Sequence, residues 1–232
     1  MTVMATPLGK RLSRIWDKPN FLDFFQNYSS RPVLKVKKGS LIFYEGDKPG
    51  KIFYIKSGFV KLFHASESGK DAIIYLYGPG SVLGLRALTS QDELLQHSAE
   101  AITDTQVITL SREEYLKAME EHPEYIIDLL HLFIDRLDYT ERKLSGFILT
   151  DVTARVANFI VNVAKRFGEK NGTRITIPVP LTHQRIAEFV GSFRETVTGS
   201  IQKLEKAGCI EFEGKTLTIT NLKTLEGFIQ ER

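Results

Sequence analysis

Arg194 and Glu195 stand side by side a few residues after a glycine, and together they carry the chemistry of base recognition. A guanidinium offers a planar fork of donors that matches O6 and N7 of guanine, and a carboxylate accepts from N4 of cytosine. Each such contact is worth about 1–3 kcal/mol of discrimination between bases. The chemistry requires both side chains at the exposed N-terminal end of a helix that enters the major groove, and the flanking sequence predicts that helix. Thr182 is placed to cap a first helix with Ile186, Ala187 and Val190 inward, and Gly191 ends it in the left-handed conformation. Ser192 then opens a second helix, with Glu195 three residues on completing a capping box. Val197, Ile201 and Leu204 form its inward stripe, which leaves Arg194, Glu195 and Thr198 pointing out. His183, Gln184 and Lys203 are expected on phosphates, where they set register without reading sequence, and Thr182 and Ser192 at the two caps complete the DNA-facing set.

Two helices around a glycine turn also describe an ordinary helical hairpin, in which Glu195 is only a cap. The next segment separates the two readings. Gly208 ends the second helix, and residues 210–219 alternate around a Glu213-Gly214-Lys215 turn, so a β-hairpin follows. A helix-turn-helix with a hairpin behind it is a winged helix.

A formal charge of +3 over 232 residues neither demands nor excludes a polyanionic partner, so the nucleic-acid reading rests on local placement. Upstream, short apolar runs at 33–36, 41–44, 52–55, 59–63, 72–77, 99–102 and 107–110 alternate with glycine-bearing turns, including Ser57-Gly58, Ser68-Gly69 and Gly78-Pro79-Gly80. Many short strands at regular spacing imply a jelly-roll barrel. A helical stretch begins near Ser111. Its second part, 124–147, repeats Ile126, Leu130, Phe133, Leu137, Thr140, Leu144 and Phe147 at alternating spacings of four and three, the seam of a coiled coil. Ile127 and Ile134 offer a second stripe to cover the barrel while the seam meets another subunit, which predicts a symmetric dimer. Residues 146–151 form the candidate hinge, with Asp151 capping the next helix. The fold class is α+β: an N-terminal segment and double-stranded β-helix (jelly-roll) barrel over 1–123, a dimerisation helix and hinge over 124–150, and a winged helix-turn-helix over 151–232. Residues 1–30 either pack as a helix on the barrel through Leu22, Phe24 and Phe25 or reach across the dimer.

Asp151-Val152-Thr153-Ala154-Arg155, Leu181-Thr182-His183-Gln184, Val190 through Val197, and Glu213-Gly214-Lys215 together resemble the CRP/FNR family of bacterial regulators. The resemblance spans nearly the whole chain, with Gly39, Gly46, Gly58, Gly69, Gly80 and Gly84 of the barrel in the family's order. It implies a homodimer with an effector-binding β-roll, a two-fold symmetric site on double-stranded DNA, and RNA polymerase as a further partner. Arg194 and Glu195 match the family's base-reading pair and Gln184 a phosphate-contacting glutamine. Gly199 stands where many members carry a second base-reading arginine, so the outer half-site is expected to be read differently, through Thr198 or Ser200.

A cyclic-nucleotide pocket of this family needs a glutamate after the phosphate-loop glycine and an arginine-serine pair for the phosphate. Here Gly84 is followed by Leu85, Arg86 and Ala87, and the later segment, 94–99, contains no arginine. A phosphate there would lose a charge-assisted bidentate partner, which argues against cyclic AMP. One cysteine, Cys209, cannot hold an iron-sulfur cluster. A haem-based gas sensor stays open as an alternative, with His64 or His97 as axial ligand. The favoured effector is a small organic or anionic molecule between barrel and long helix, near Gly84, Leu85, Arg86, His97, Ser98, Arg136, Tyr139 and Thr140, with no cofactor and no metal. An oxygenase would need clustered histidines or carboxylates, whereas His64 and His97 stand on separate segments, so an enzyme is not expected. A regulatory module that uses its winged helix on a protein partner is the remaining rival. Lys10, Arg11 and Arg14 precede no continuous apolar run, no stretch is apolar enough to span a bilayer, and the single cysteine fits a reducing cytoplasm.

Overall fold

The computed structural model describes residues 21–65, 71–89 and 93–229, so the cationic segment before residue 21 and the Ser68-Gly69 turn lie outside the described residues. The barrel is built from β1 (Leu34–Val36), β2 (Leu41–Phe43), β3 (Lys51–Ser57), β4 (Val60–Ala65), β5 (Asp71–Tyr77), β6 (Val82–Leu83), β7 (Ser98–Ala101) and β8 (Thr105–Ser111). They pair antiparallel in two four-stranded sheets, β1-β8-β3-β6 and β2-β7-β4-β5. Side chains alternate across each strand, so Ile55, Val60, Leu62, Leu83, Ala99 and Val107 meet between the sheets. β6 left no trace in the sequence pattern because two residues are too few to establish a period. Ahead of the barrel, α1 (Phe21–Tyr28) packs on it through Phe24 and Phe25, both fully buried, with the Phe24 ring 5.2 Å from Tyr115 and Phe25 5.4 Å from Tyr54.

Ser111 closes the barrel and caps α2 (Arg112–Glu121) in a reciprocal box: its hydroxyl accepts from the Glu114 amide, and the Glu114 carboxylate accepts from its own. The long helix α3 (Glu124–Leu149) follows and runs two residues beyond the expected seam. Tyr125, Leu129 and Leu132 pack against the barrel, and Lys143 continues that face by donating to the Ile73 carbonyl at 2.7 Å. The expected second stripe is thereby corrected. Ile134 is 55% exposed, because a turn of about 100° per residue puts Ile127 and Ile134 on the flank of the seam opposite the barrel. The seam itself, Ile126, Leu130, Phe133, Leu137, Leu144 and Phe147, is between 41 and 60% exposed in the single chain.

Asp151 caps α4 (Val152–Phe167) by accepting from the Ala154 amide at 2.8 Å. The winged unit continues with β9 (Glu169–Asn171), β10 (Arg174–Ile177), α5 (His183–Val190), α6 (Arg194–Lys206), β11 (Ile210–Glu213), β12 (Thr216–Ile219) and α7 (Leu222–Gly227), with sheet order β11-β12-β10-β9. β9 was not expected, since Glu169, Lys170 and Asn171 carry no apolar residue and all three are exposed. Phe59, Phe63, Ile73 and Leu76 of the barrel share one core with Val156, Ile160, Phe189 and Val190, so the two units of one chain are packed together. No helix among the described residues is long and apolar enough to cross a membrane.

Candidate nucleic-acid interface and ligand cavity

α5 and α6 meet at Gly191, whose φ of +60° is the left-handed conformation expected for the turn. The opening of α6 differs from expectation. The Ser192 amide donates to the Ala187 carbonyl at 3.1 Å to close the preceding turn, so Ser192 still belongs to that turn. Phe193 takes the N-cap position with no side-chain cap bond, and the helix starts at Arg194. The predicted Ser192–Glu195 capping box is therefore absent, which leaves the Glu195 carboxylate free of a capping role. Val197, Ser200, Ile201 and Leu204 are buried, and Arg194 and Glu195 are exposed at the N-terminal end of α6.

Around this end the fold braces Thr198. Its hydroxyl donates to the Arg194 carbonyl at 2.9 Å, so its contact with His183 at 2.8 Å is one in which His183 Nδ1–H donates. The His183 ring also lies edge-on to Phe212 of the wing, 5.1 Å away. His183 thus ties both helices to the hairpin, and its Nε2 can donate to a phosphate only when the ring carries a proton on both nitrogens. Gln184 is exposed and donates to Glu188 at 2.9 Å, while the Thr182 hydroxyl accepts from the Arg185 amide. Lys203 is not brought to the reading end: nine residues of helix rotate it half a turn from Arg194, and its ammonium lies over the Phe228 ring at 5.8 Å. Gln202 and Lys206, exposed on the outward side with Glu195 and Gly199, were missed. Their helical spacing from Glu195, seven and eleven residues, was the available signal. A Cβ on Gly199 would meet nothing within 4 Å, so this position faces open space.

The candidate hinge contracts to Thr150 and Asp151, the two residues between α3 and α4; the Thr150 amide and hydroxyl both bond to Gly146 O. Arg155 straps it: Nη1 donates to Thr150 O at 2.7 Å, Nε to Val190 O at 3.1 Å, and the guanidinium covers the Phe147 ring at 5.4 Å. One side chain thereby joins the seam, the hinge and the first helix of the reading head.

Between barrel and long helix lies a cavity of about 290 Å³, with Gly84, Leu85, Arg86, His97, Phe133 and Arg136 among its lining. Gly84 has φ +80°, and a Cβ there would come within 2.6 Å of Lys51 O, so no other residue fits without displacing β3. Arg86 pairs with Glu93 through Nη2, while its Nε is buried with no hydrogen-bond partner. Burial, then the Arg136 charge, lowers the His97 pKa and favours a neutral imidazole. His97 also lies 6.3 Å, ring to ring, from His64, which pairs with Glu45; the two histidines, distant in sequence, are neighbours in the fold. Three expected residues sit elsewhere. The Ser98 hydroxyl accepts from the Glu45 amide and is buried in the strand pairing, Thr140 bonds back to Arg136 O on the exposed seam, and Tyr139 lies edge-on to Tyr75 of β5, ring centres 5.0 Å apart.

Residues 33–122 match the cyclic nucleotide-binding domain family and residues 154–228 the Crp-like helix-turn-helix domain family. The global nitrogen regulator of Synechococcus elongatus is 32% identical over 190 residues, which cover 82% of this chain and 86% of that one. The chain belongs to the CRP/FNR family. It is a DNA-binding transcription regulator of that family. The CRP-like cAMP-activated global transcriptional regulator of Mycobacterium tuberculosis is 29% identical over 188 residues, with 81% of this chain and 84% of that one covered. In fold, this CRP/FNR chain is similar to FixK2 from Bradyrhizobium japonicum, with a TM-score of 0.74 at 20% identity over 86% of this chain and 97% of that one.

Proposed function

We propose that the protein is a homodimeric, sequence-specific regulator whose grip on a two-fold symmetric DNA site is set by a small anionic effector in the cavity between barrel and α3. One observation carries the reading: Phe133 lines the cavity and belongs to the exposed seam. A molecule that presses on Phe133 acts on the dimer contact directly, and it shifts the regulator only as far as it favours one arrangement of the two helices over the other. Arg86, with its unsatisfied Nε, and Arg136 are the cations that receive the anion. Arg194 and Glu195 read the bases, and Gln184 and, as an imidazolium, the His183 Nε2–H contact phosphates.

Binding-site selection from random DNA tests the reading head. Arg194→Ala is expected to erase the preference at one base pair in each half-site and to weaken the best site by about 10–100-fold. Gln184→Ala should weaken all sequences equally and leave the salt dependence unchanged, because the amide it removes carries no charge. An unchanged base preference in Arg194→Ala would refute the assignment. For the effector, thermal unfolding against organic acids, phenols, nucleotides and 2-oxoglutarate should identify one stabiliser that Arg86→Gln no longer responds to; a panel without effect on the wild-type chain would overturn that half of the reading.

A further inference from the structure

A second cavity, of about 340 Å³, opens between the barrel and the winged unit of the same chain. Its walls include Tyr75 and Tyr77 of β5, Val82 of β6, Arg136 and Arg142 of α3, and Lys165 and Arg166 of α4. Four cations face it, against Asp135 as the one carboxylate in the lining. Lys165 has a partner in Glu226 at 3.4 Å, and Arg142 a distant one in Asp138 at 3.9 Å. Arg136 and Arg166 make no ion pair among the described residues. Both guanidinia instead gather on one ring, Arg166 at 4.6 Å and Arg136 at 5.6 Å from the centre of Tyr75, and Arg136 also lies 5.9 Å from Tyr77. The face of an aromatic ring offsets a positive charge weakly, so the repulsion between two such forks is left without a carboxylate to neutralise it. Burial pushes the Tyr77 and Tyr139 hydroxyls up to about 12, so at neutral pH the phenols beside these cations are protonated and carry no negative charge.

We infer that this interdomain cavity binds a compact oxyanion of two or more charges, shared between Arg136 of the long helix and Arg166 of the winged unit. Each guanidinium takes one oxyanion group in a bidentate pair, and a ligand held by both fastens the winged unit to the barrel. The site is distinct from the first cavity, since Arg86 lines only the first and Arg142, Lys165 and Arg166 only the second. The two meet at Tyr77 and Arg136, which line both. Occupancy of one therefore changes the affinity of the other, reciprocally.

Calorimetric titration of the full chain with pyrophosphate, and separately with citrate, at constant ionic strength and without DNA tests the site. The expected result is saturable binding of one anion per chain, weakened about tenfold by Arg166→Gln and by Arg142→Gln, and unchanged by Arg86→Gln. Binding of pyrophosphate without citrate assigns the site to phosphate anhydrides or esters, and binding of both assigns it to multivalent oxyanions in general; either supports the site. Should Arg166→Gln unfold early, Arg142→Gln, exposed on α3, carries the comparison. Absence of saturable binding for both anions overturns the proposal. So does binding lost in Arg86→Gln and retained in Arg142→Gln, which would place the anion in the first cavity.

Discussion

The two long faces of α3 come from one 26-residue helix and meet opposite fates. The face against the barrel is mixed: Tyr125, Leu129 and Leu132 are followed by Arg136, Tyr139 and Lys143, whose polar heads find carbonyls and rings on β5. The seam is almost purely apolar, yet it is the exposed one, and no residue of α3 is fully buried in the single chain. Apolar contact docks only the first half of this helix on its own barrel. Over the second half polar anchors with specific partners fix its position, and the exposed apolar row has the regular spacing that the second copy in the proposed homodimer would match.

Breaking the seam is expected to have the largest effect. Leu137→Glu places a carboxylate in the middle of the apolar row and should weaken self-association by about a thousandfold or more, read by analytical ultracentrifugation, with two-fold-site DNA binding lost in parallel. The opposite face responds to pH. Burial lowers the Lys143 pKa to about 8, from 10.5 in the unfolded chain. Between those values the unfolded chain binds more protons than the folded one, so stability rises with pH across that window. Denaturant unfolding should show a gain of about 2 kcal/mol from pH 7 to pH 10 from this group, and Lys143→Met should remove that slope. Smaller still is Thr140→Val. It replaces the one polar residue of the seam by an isostere and should tighten self-association a fewfold, about 0.5–1 kcal/mol, while loosening the choice of register. Equal responses to changes on the two faces would abolish the distinction between them.

Legibility in the sequence followed the range of the interaction. The caps at Asp151 and Thr182 and the turn at Gly191 are local and were readable residue by residue. The Ser192 cap was not, because the turn at Gly191 claims the Ser192 amide for Ala187 and delays the helix to Arg194, a competition between neighbouring motifs that spacing does not rank. The heptad named the seam but not which flank lies on the barrel, since Ile127 and Ile134 look more apolar than Arg136 and Lys143. In the first cavity Gly84, Leu85, Arg86, His97 and Arg136 were expected together and do line one space. The second cavity, whose walls are brought together only by the docking of α4 near β5, had no sequence signal.

A Cβ on Gly191 would come within 2.7 Å of the Phe147 ring. The turn between the two helices of the reading head therefore rests with no clearance on the last apolar residue of the seam. In the proposed homodimer a roll of the long helices would move that ring like the heel of a lever against its fulcrum, so the angle between the two reading heads would be geared to the seam through this contact and the Arg155 strap beside it. Gly191 consequently answers to two demands at once, and changing the spacing of the reading heads in the proposed homodimer would start from Phe147, on the long helix, and not from the reading helix.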